Sequence, residues 1–147
     1  MIEYNRVELS KAAKERGFVR DTFEKVLRLK EILRYFNEDK YLREHLVLKG
    51  GTAINMTIFN LPRLSVDIDM DFTPNYSKAD AEVNRKEITE RLQRYMQEEG
   101  YHLSESSRYS HSLDSFLFQY QNAGGNRDNI KVEINYSLRS HIFAPVG

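Results

Sequence analysis

The sequence predicts an α/β (α+β) fold in which helices pack on one face of a mixed β-sheet. Two segments, residues 65–72 and 130–137, place an apolar residue at every second position, as half-buried strands do. Two longer segments, residues 21–36 and 78–98, repeat their apolar residues at helical spacing. Strands and helices that each carry one apolar face bury those faces against one another, and this gives a sheet layered with helices.

The N-terminal part of the chain is predicted to be helical scaffold. A short helix is expected near residues 9–16 and a longer one over residues 21–36. Seven apolar residues trace one face of the longer helix: Phe23, Val26, Leu27, Leu29, Ile32, Leu33 and Phe36. We expect this face to pack in the core, and binding to a protein partner is the alternative use of such a face.

A glycine-containing turn follows a short apolar strand predicted over residues 45–48. The turn consists of Lys49, Gly50, Gly51 and Thr52. Thr52 is a suitable N-cap for a short helix over residues 53–59, which ends before Pro62. Glycines let backbone N–H groups approach phosphate oxygens closely, so the turn predicts a phosphate site at a helix N-terminus. An ordinary tight turn before a capped helix is the alternative.

The strand over residues 65–72 carries acids on one face. Val66, Ile68, Met70 and Phe72 alternate with Ser65, Asp67, Asp69 and Asp71, so we expect the apolar set to face the core and the acids to face outward together. Residues two apart on a strand lie roughly 6.5–7 Å apart, which lets Asp67 and Asp69 converge on one ion or an ion pair. Oxygen ligands suit Mg²⁺ or Mn²⁺. A solvated edge strand with an acidic face is the alternative.

The second half of the chain begins with a helix predicted over residues 78–98, with Gly100 as its stop. Val83, Ile88, Leu92 and Met96 are expected to face inward. A weak strand over residues 101–107 and a stronger one over residues 112–121 follow. A turn at residues 122–126 then leads into the strand over residues 130–137, so the segment is predicted to be a meander.

A third acid stands on that last strand. Glu133 alternates with Ile130, Val132 and Ile134, and Lys131 lies two residues away on the same face. Glu133 is a candidate to complete a three-carboxylate site or to accept the proton of an attacking hydroxyl, and Lys131 is a candidate to neutralise phosphate charge. A surface Lys–Glu pair on a half-exposed strand is the alternative.

Composition is compatible with such a site without selecting it. The 147 residues predict one domain, and 22 basic against 22 acidic residues leave no overall field that would attract nucleic acid. An RNA partner would need a local patch, for which Lys49, Arg63, Lys131 and Arg139 are candidates. The chain has no cysteine, and its four histidines lack zinc-ligand spacing. No apolar run is long enough for a membrane span, so we expect a cytoplasmic protein.

Two motifs together carry a family resemblance. Lys-Gly-Gly-Thr-Ala at residues 49–53, followed by Arg-x-Ser-x-Asp-x-Asp at residues 63–69, resembles the nucleotidyltransferases of the AbiEii/AbiGii toxin type. Those proteins are similar to the wider polymerase-beta-like nucleotidyltransferase superfamily. The resemblance implies that superfamily's core fold, in which a glycine-rich turn opens a helix, two acids stand on the next strand and a later strand brings a third acid beside them.

Site roles follow from the resemblance residue by residue. It makes Gly50, Gly51 and Thr52 the phosphate turn, with Lys49 beside it, and makes Asp67 and Asp69 the metal pair. Arg63 and Ser65 take the places of the family's Arg and Ser ahead of the acids, and Lys131 and Glu133 resemble the Lys-x-Glu element of a later strand. Asp71 lies beyond the family pattern and is not expected to be a ligand. We also expect the sequence to lack the family's helical C-terminal region.

Two functions from different classes follow. The first is a toxin-like, Mg²⁺- or Mn²⁺-dependent nucleotidyltransferase that moves a nucleoside monophosphate from an NTP to an acceptor hydroxyl. For this enzyme the resemblance implies the 3′ end of tRNA as acceptor and a cognate antitoxin as partner. The second is a non-catalytic nucleotide- or partner-binding module with the same fold. Asp69→Asn abolishes turnover in the first case, whereas the second predicts NTP binding without product.

Overall fold

A computed structural model describes residues 4–17, 19–48, 68–72 and 78–136 of the chain. The elements follow one another as α1 Arg6–Glu15, α2 Arg20–Glu38, α3 Lys40–His45, β1 Leu46–Leu48, β2 Ile68–Phe72, α4 Lys78–Glu98, β3 His102–Leu103, β4 Arg108–Tyr109, β5 Leu113–Gln121 and β6 Arg127–Asn135. The predicted α/β architecture is confirmed by these helices and by the mixed sheet that the strands form. The helix predicted over residues 53–59 lies outside the described residues.

The strands form one sheet in the order β1, β2, β6, β5, β3, and β4 also pairs with β5. β2 and β6 run parallel, whereas the other described pairs are antiparallel. A parallel pair needs a long connection between its strands, and here α4 and strands β3 to β5 lie within that connection. The sheet therefore brings the strand with Asp69 directly beside the strand with Glu133.

Helices α2 and α4 pack on one face of this sheet in a single apolar core. The helices contribute Val26, Leu29, Ile32, Phe36, Ile88, Leu92 and Met96. The strands contribute alternate residues, including Ile68, Met70, Phe72, Phe116, Phe118, Ile130, Val132 and Ile134. Burial of one such side chain stabilises the fold by roughly 1.5–3 kcal/mol, so this apolar face is what holds the layers together. The opposite face of β5 and β6 carries the partly exposed residues.

The predicted inward position of Val83 is wrong. Its side chain is 68% exposed, whereas Ile88, Leu92 and Met96 are fully buried. Helical geometry explains the difference, because a residue five positions before Ile88 lies about 140° around the helix from it. α4 thus turns a narrow stripe toward the sheet and leaves its first turns more open to solvent.

Helix α3 was not predicted from the sequence. Asp39 ends α2 and also caps α3, since its Oδ1 accepts a hydrogen bond of 3.0 Å from the backbone N–H of Leu42. His45 is the last residue of α3, so the strand predicted over residues 45–48 is shorter by one residue and becomes Leu46–Leu48. No glycine or proline separates the two helices, and the helix predicted over residues 21–36 ends two residues before α2 does, so of these two helices it is α3 alone that was not predicted.

The hairpin of β5 and β6 is held in register by its turn. The side-chain Oδ1 of Asn122 accepts a hydrogen bond of 2.9 Å from the backbone N–H of Asn126. The backbone N–H of Asn122 in turn donates to the carbonyl of Asn126 at 2.8 Å. Gly125 has φ of +90°, a conformation that side-chain-bearing residues rarely adopt. The turn predicted at residues 122–126 is confirmed, and β6 starts at Arg127, three residues earlier than predicted.

Candidate active site on the open face of the sheet

Asp69 and Glu133 are the two predicted site acids that the structure brings side by side. They are Cα partners in the parallel pairing of β2 with β6. The neighbours of Asp69 on its own strand, Ile68 and Met70, are buried in the core, so strand alternation turns Asp69 to the opposite face. Val132 and Ile134 do the same for Glu133. Both acids are partly exposed, so the face they share is accessible to a ligand.

Lys131 lies next to Glu133 on the same face. Its Nζ is 3.4 Å from Oε1 of Glu133, and the two side chains are 40% and 24% exposed. An ion pair this exposed contributes little to stability because solvent screens it. The pair matters for the local charge, because it places the Lys131 ammonium group beside the two acids, where a negatively charged substrate would approach.

The row of residues through Glu133 continues across the sheet. Ser115 on β5 is the Cα partner of Glu133, and Arg108 on β4 is the partner of Ser115. Arg108, Ser115, Glu133 and Asp69 therefore occupy one row across four strands. No local pattern in the sequence marks Arg108 or Ser115 as site candidates, because only the pairing of distant strands brings them into this row.

Asp71 departs from the expectation that the acids of its strand face outward together. It shares the face of Asp69, but it is only 8% exposed. Its Cα partners are Val47 on β1 and Asn135 on β6. No described residue donates a hydrogen bond to its Oδ1. A buried carboxylate oxygen without a donor is unfavourable by several kcal/mol unless something else compensates it, so Asp71 differs chemically from Asp69 despite their shared strand.

A buried ion pair anchors the end of β5 and β6 next to the acids. Asp114 is 4% exposed and is the Cα partner of Ile134. Arg85 of α4 donates from Nε to Oδ2 of Asp114 at 3.0 Å and also donates to the carbonyls of Ser110 and His111, at 2.7 Å each. The hydrogen bond with Asp114 raises the pKa of Arg85, so its guanidinium stays charged. α4 is thereby fixed to the strand ends that position Glu133.

Tyr136 lies at the same end of the sheet, three residues after Glu133. Its backbone N–H donates to the carbonyl of Ser112 at 2.7 Å. The guanidinium carbon of Arg85 lies 4.7 Å from the centre of its ring. Burial raises the pKa of the Tyr136 phenol well above its usual value, so the ring remains neutral under Arg85. These contacts hold the C-terminal end of β6 in place.

All six predicted nucleotide-binding residues lie outside the described residues, as does Asp67 of the predicted metal pair. Asp69, Lys131 and Glu133 are described, and the structure places all three on one face of adjoining strands. Outside the described residues lie Lys49, Gly50, Gly51, Thr52, Arg63, Ser65, Asp67 and Arg139. The phosphate turn and the first acid of the metal pair therefore remain predictions.

The described acids fit a hard divalent cation in chemistry but do not complete a site. Asp69 and Glu133 offer carboxylate oxygens, which Mg²⁺ and Mn²⁺ prefer. Within the described ranges no three Asp, Glu, His or Cys side chains are grouped closely enough to hold a metal ion. The remaining predicted ligand, Asp67, lies outside those ranges.

In the part of the chain that the structure describes, no helix combines the length and apolar character that a membrane span needs.

Comparison with known proteins identifies a family to which the chain is similar. A family model described as "Nucleotidyl transferase AbiEii toxin, Type IV TA system" matches residues 31–147. This segment includes the last eight residues of α2, the six described strands and the three described site candidates. Searches of curated proteins and of solved structures found no match.

Proposed function

The chain belongs to the AbiEii family of nucleotidyltransferase toxins of type IV toxin–antitoxin systems, and we propose that it transfers a nucleoside monophosphate from an NTP to the hydroxyl group of an acceptor. The observation that supports this proposal is the pairing of Asp69 with Glu133 on the open face of the sheet. Two carboxylates from different strands, with a lysine 3.4 Å from one of them, suit the transfer of a charged phosphoryl group.

The proposed roles divide the reaction among named side chains. Asp67 and Asp69 would hold Mg²⁺ or Mn²⁺, with Glu133 as a further ligand or as the base, and the ion would neutralise charge on the triphosphate. In the base role Glu133 accepts the proton of the acceptor hydroxyl as its oxygen bonds to the α-phosphorus. The bond from the α-phosphorus to the bridging oxygen breaks, and pyrophosphate leaves. Lys131 offsets negative charge on the phosphates during this exchange.

The remaining residues are proposed to bind the triphosphate of the substrate, and the acceptor, the antitoxin and the cellular compartment are proposed with them. Lys49, Gly50, Gly51 and Thr52 bind the triphosphate through backbone N–H groups, with Arg63 and Ser65 beside them. The acceptor is the 3′ end of tRNA, and a cognate antitoxin opposes the activity. We place the reaction in the cytoplasm, where NTPs and tRNA are available.

Nucleotide transfer to total tRNA tests the proposal. Each of the four α-³²P-labelled NTPs is incubated with tRNA and Mg²⁺ or Mn²⁺, using wild-type protein, Asp69→Asn and Glu90→Gln. Glu90 is an exposed acid of α4, so its change is a matched control for loss of one negative charge. We expect label in tRNA from wild type and Glu90→Gln and none from Asp69→Asn. Metal-dependent NTP binding without any product would contradict the proposal and support the non-catalytic module.

A further inference from the structure

A groove of about 670 Å³ opens at the far end of the β5–β6 hairpin. It lies between the C-terminal end of α4 and the edge of β5, and we call it the hairpin groove. It exists because β3 is two residues long and pairs only with Phe118 and Gln119, so no described strand covers β5 beside residues 120–121. The polar side chains that line it include Glu99, His102, Gln119, Gln121 and Arg127.

The wall of the groove formed by α2 is rigid. Arg28 lines the groove, and its guanidinium carbon lies 4.2 Å from the ring centre of Tyr120 and 4.6 Å from that of Tyr4. Its Nε donates at 2.8 Å to Glu24, which is fully buried. Glu24 also accepts from the backbone N–H of Ala123 at 2.7 Å. The charge of Arg28 is therefore already balanced, and the net attraction for an anion comes from Arg127 at the mouth.

Arg127 lines the groove and lies on the same face of β6 as Glu133 of the candidate active site. Arg127, Asn129, Lys131 and Glu133 project from this face in turn, because they alternate with residues that face the helices. Glu133 is six positions after Arg127, which corresponds to roughly 20 Å along a strand. A ligand that reaches both ends must be long.

The charges on this face favour a polyanion. On the neighbouring edge strands His102 is the Cα partner of Gln119, and Arg108 is the partner of Ser115, so both share the face. Among the described residues of β3 to β6, Glu133 is the acid on this side of the sheet. Arg108 and Arg127 are exposed and form no ion pair with another described residue. Across β3 to β6 this face carries Arg108, Arg127 and Lys131 against Glu133, in a chain that is neutral as a whole. Asp69 and Asp71 make the face acidic only at its β2 end.

The remaining groove residues suit a nucleotide better than a simple anion. The amides of Gln119 and Gln121 both donate and accept hydrogen bonds, which lets them contact base edges. The carboxylate of Glu99 would repel a phosphate and accept hydrogen bonds from an amino or ribose hydroxyl group instead. A chain of nucleotides offers both kinds of group, with phosphates for the cations and bases for the amides.

We propose that the hairpin groove binds single-stranded RNA, upstream of the acceptor end that reacts at Glu133. This inference rests on the proposed function, since it assumes that the acceptor is RNA. At a helical rise of about 3.4 Å per nucleotide, the 20 Å span corresponds to roughly six nucleotides, and to fewer in an extended strand. Short RNA would reach only the candidate site, whereas longer RNA would occupy the groove as well.

Equilibrium binding of labelled RNA tests this length dependence without requiring turnover. Fluorescence anisotropy is measured for a trinucleotide and a dodecanucleotide with the same 3′ sequence, using wild type, Arg127→Glu, His102→Glu and Lys86→Glu. Lys86 is an exposed lysine of α4, so it controls for charge reversal elsewhere. We expect both groove variants to weaken dodecanucleotide binding about tenfold, to leave the trinucleotide unchanged, and Lys86→Glu to have no effect. Arg127→Gln should also reduce the salt dependence of log K by about 0.7.

Three results would overturn the inference. One is equal affinity of wild type for the two RNAs, and another is unchanged dodecanucleotide binding by both groove variants. The third is tighter binding of an oligoglutamate peptide that Arg127→Glu abolishes, which would assign the groove to an acidic protein partner. Failure of the transfer reaction would appear separately, as length-dependent RNA binding without nucleotide incorporation.

Discussion

Arg85 and Asp114 join α4 to β5 through a buried ion pair in which Nε donates to Oδ2 at 3.0 Å. The carboxylate is almost completely buried, so the guanidinium is what compensates its lost hydration. The same guanidinium donates to the carbonyls of Ser110 and His111, which fixes the turn that precedes β5. One side chain therefore sets the position of α4 relative to the strand ends beside Glu133.

Removal of Arg85 should destabilise the protein strongly. Arg85→Ala leaves Asp114 buried and without its cation, for which a loss of about 3–5 kcal/mol in the free energy of unfolding is expected. Urea denaturation followed by circular dichroism measures the change. Lys86→Ala, at an exposed neighbouring position, should stay within about 0.5 kcal/mol of wild type. A similar small effect of Arg85→Ala would show that the pair is not needed for stability.

Neutralising Asp71 should raise the free energy of unfolding, whereas removal of Arg85 should lower it. Asp71→Asn keeps the shape of the side chain and removes the charge from a buried group whose Oδ1 has no described donor. We expect the free energy of unfolding to rise by about 1 kcal/mol and nucleotide transfer to continue. Thermal unfolding and the tRNA assay measure the two effects. A loss of stability would mean that the carboxylate has a cationic or hydrogen-bonding partner beyond the described residues.

Changing Glu133 should affect the reaction far more than the fold. The side chain is partly exposed and pairs only weakly with Lys131, so Glu133→Gln should leave thermal stability unchanged. Loss of a general base lowers turnover by roughly 10²–10⁴-fold, and we expect a decrease in this range. Initial rates of nucleotide transfer provide the measurement, with the exposed Glu105→Gln as control. Wild-type rates in Glu133→Gln would remove this residue from the proposed mechanism.

Deprotonation of Tyr35 should destabilise the folded protein at alkaline pH. Burial, together with the negative charge of Asp39, raises its pKa from its usual value near 10 to about 12. The folded state therefore holds this proton more tightly than the unfolded chain, so the stabilisation is complete below pH of about 10 and is lost as the pH rises toward about 12. Unfolding of wild type and Tyr35→Phe across this range measures the effect. We expect a shallower decline in Tyr35→Phe, and identical slopes would contradict the assignment.

The local patterns in the sequence were sufficient for the two described strands that carry Asp69 and Glu133. Alternating apolar residues predicted the strands of Asp69 and Glu133, because a half-buried strand must repeat every second residue. The end of α2 was predicted to within two residues, but α3 was not predicted, since Asp39 both ends α2 and caps α3 with no glycine or proline between them. Val83 was misplaced because an apolar residue near a helical stripe need not lie within it.

The composition of the open face could not be read from the sequence in the same way. Arg108 and Ser115 join the row of Glu133 only through pairing between strands that are distant in the chain. The burial of Asp71 also depends on what surrounds the strand, which alternation does not describe. Local periodicity predicts the face of each strand to which a side chain belongs, and the order of the strands decides its neighbours.

The parallel pairing of β2 with β6 also determines when the acid pair can form during folding. The hairpin of β5 and β6 is a local structure, whereas β2 must wait for a strand that lies beyond α4 and the meander in the chain. Contacts between distant segments form slowly because loop closure is entropically unfavourable. A partly synthesised chain that has exposed Asp69 but not yet Glu133 consequently lacks the acid pair. The acid pair can therefore form only after the chain has been synthesised through Glu133 and β6 has paired with β2.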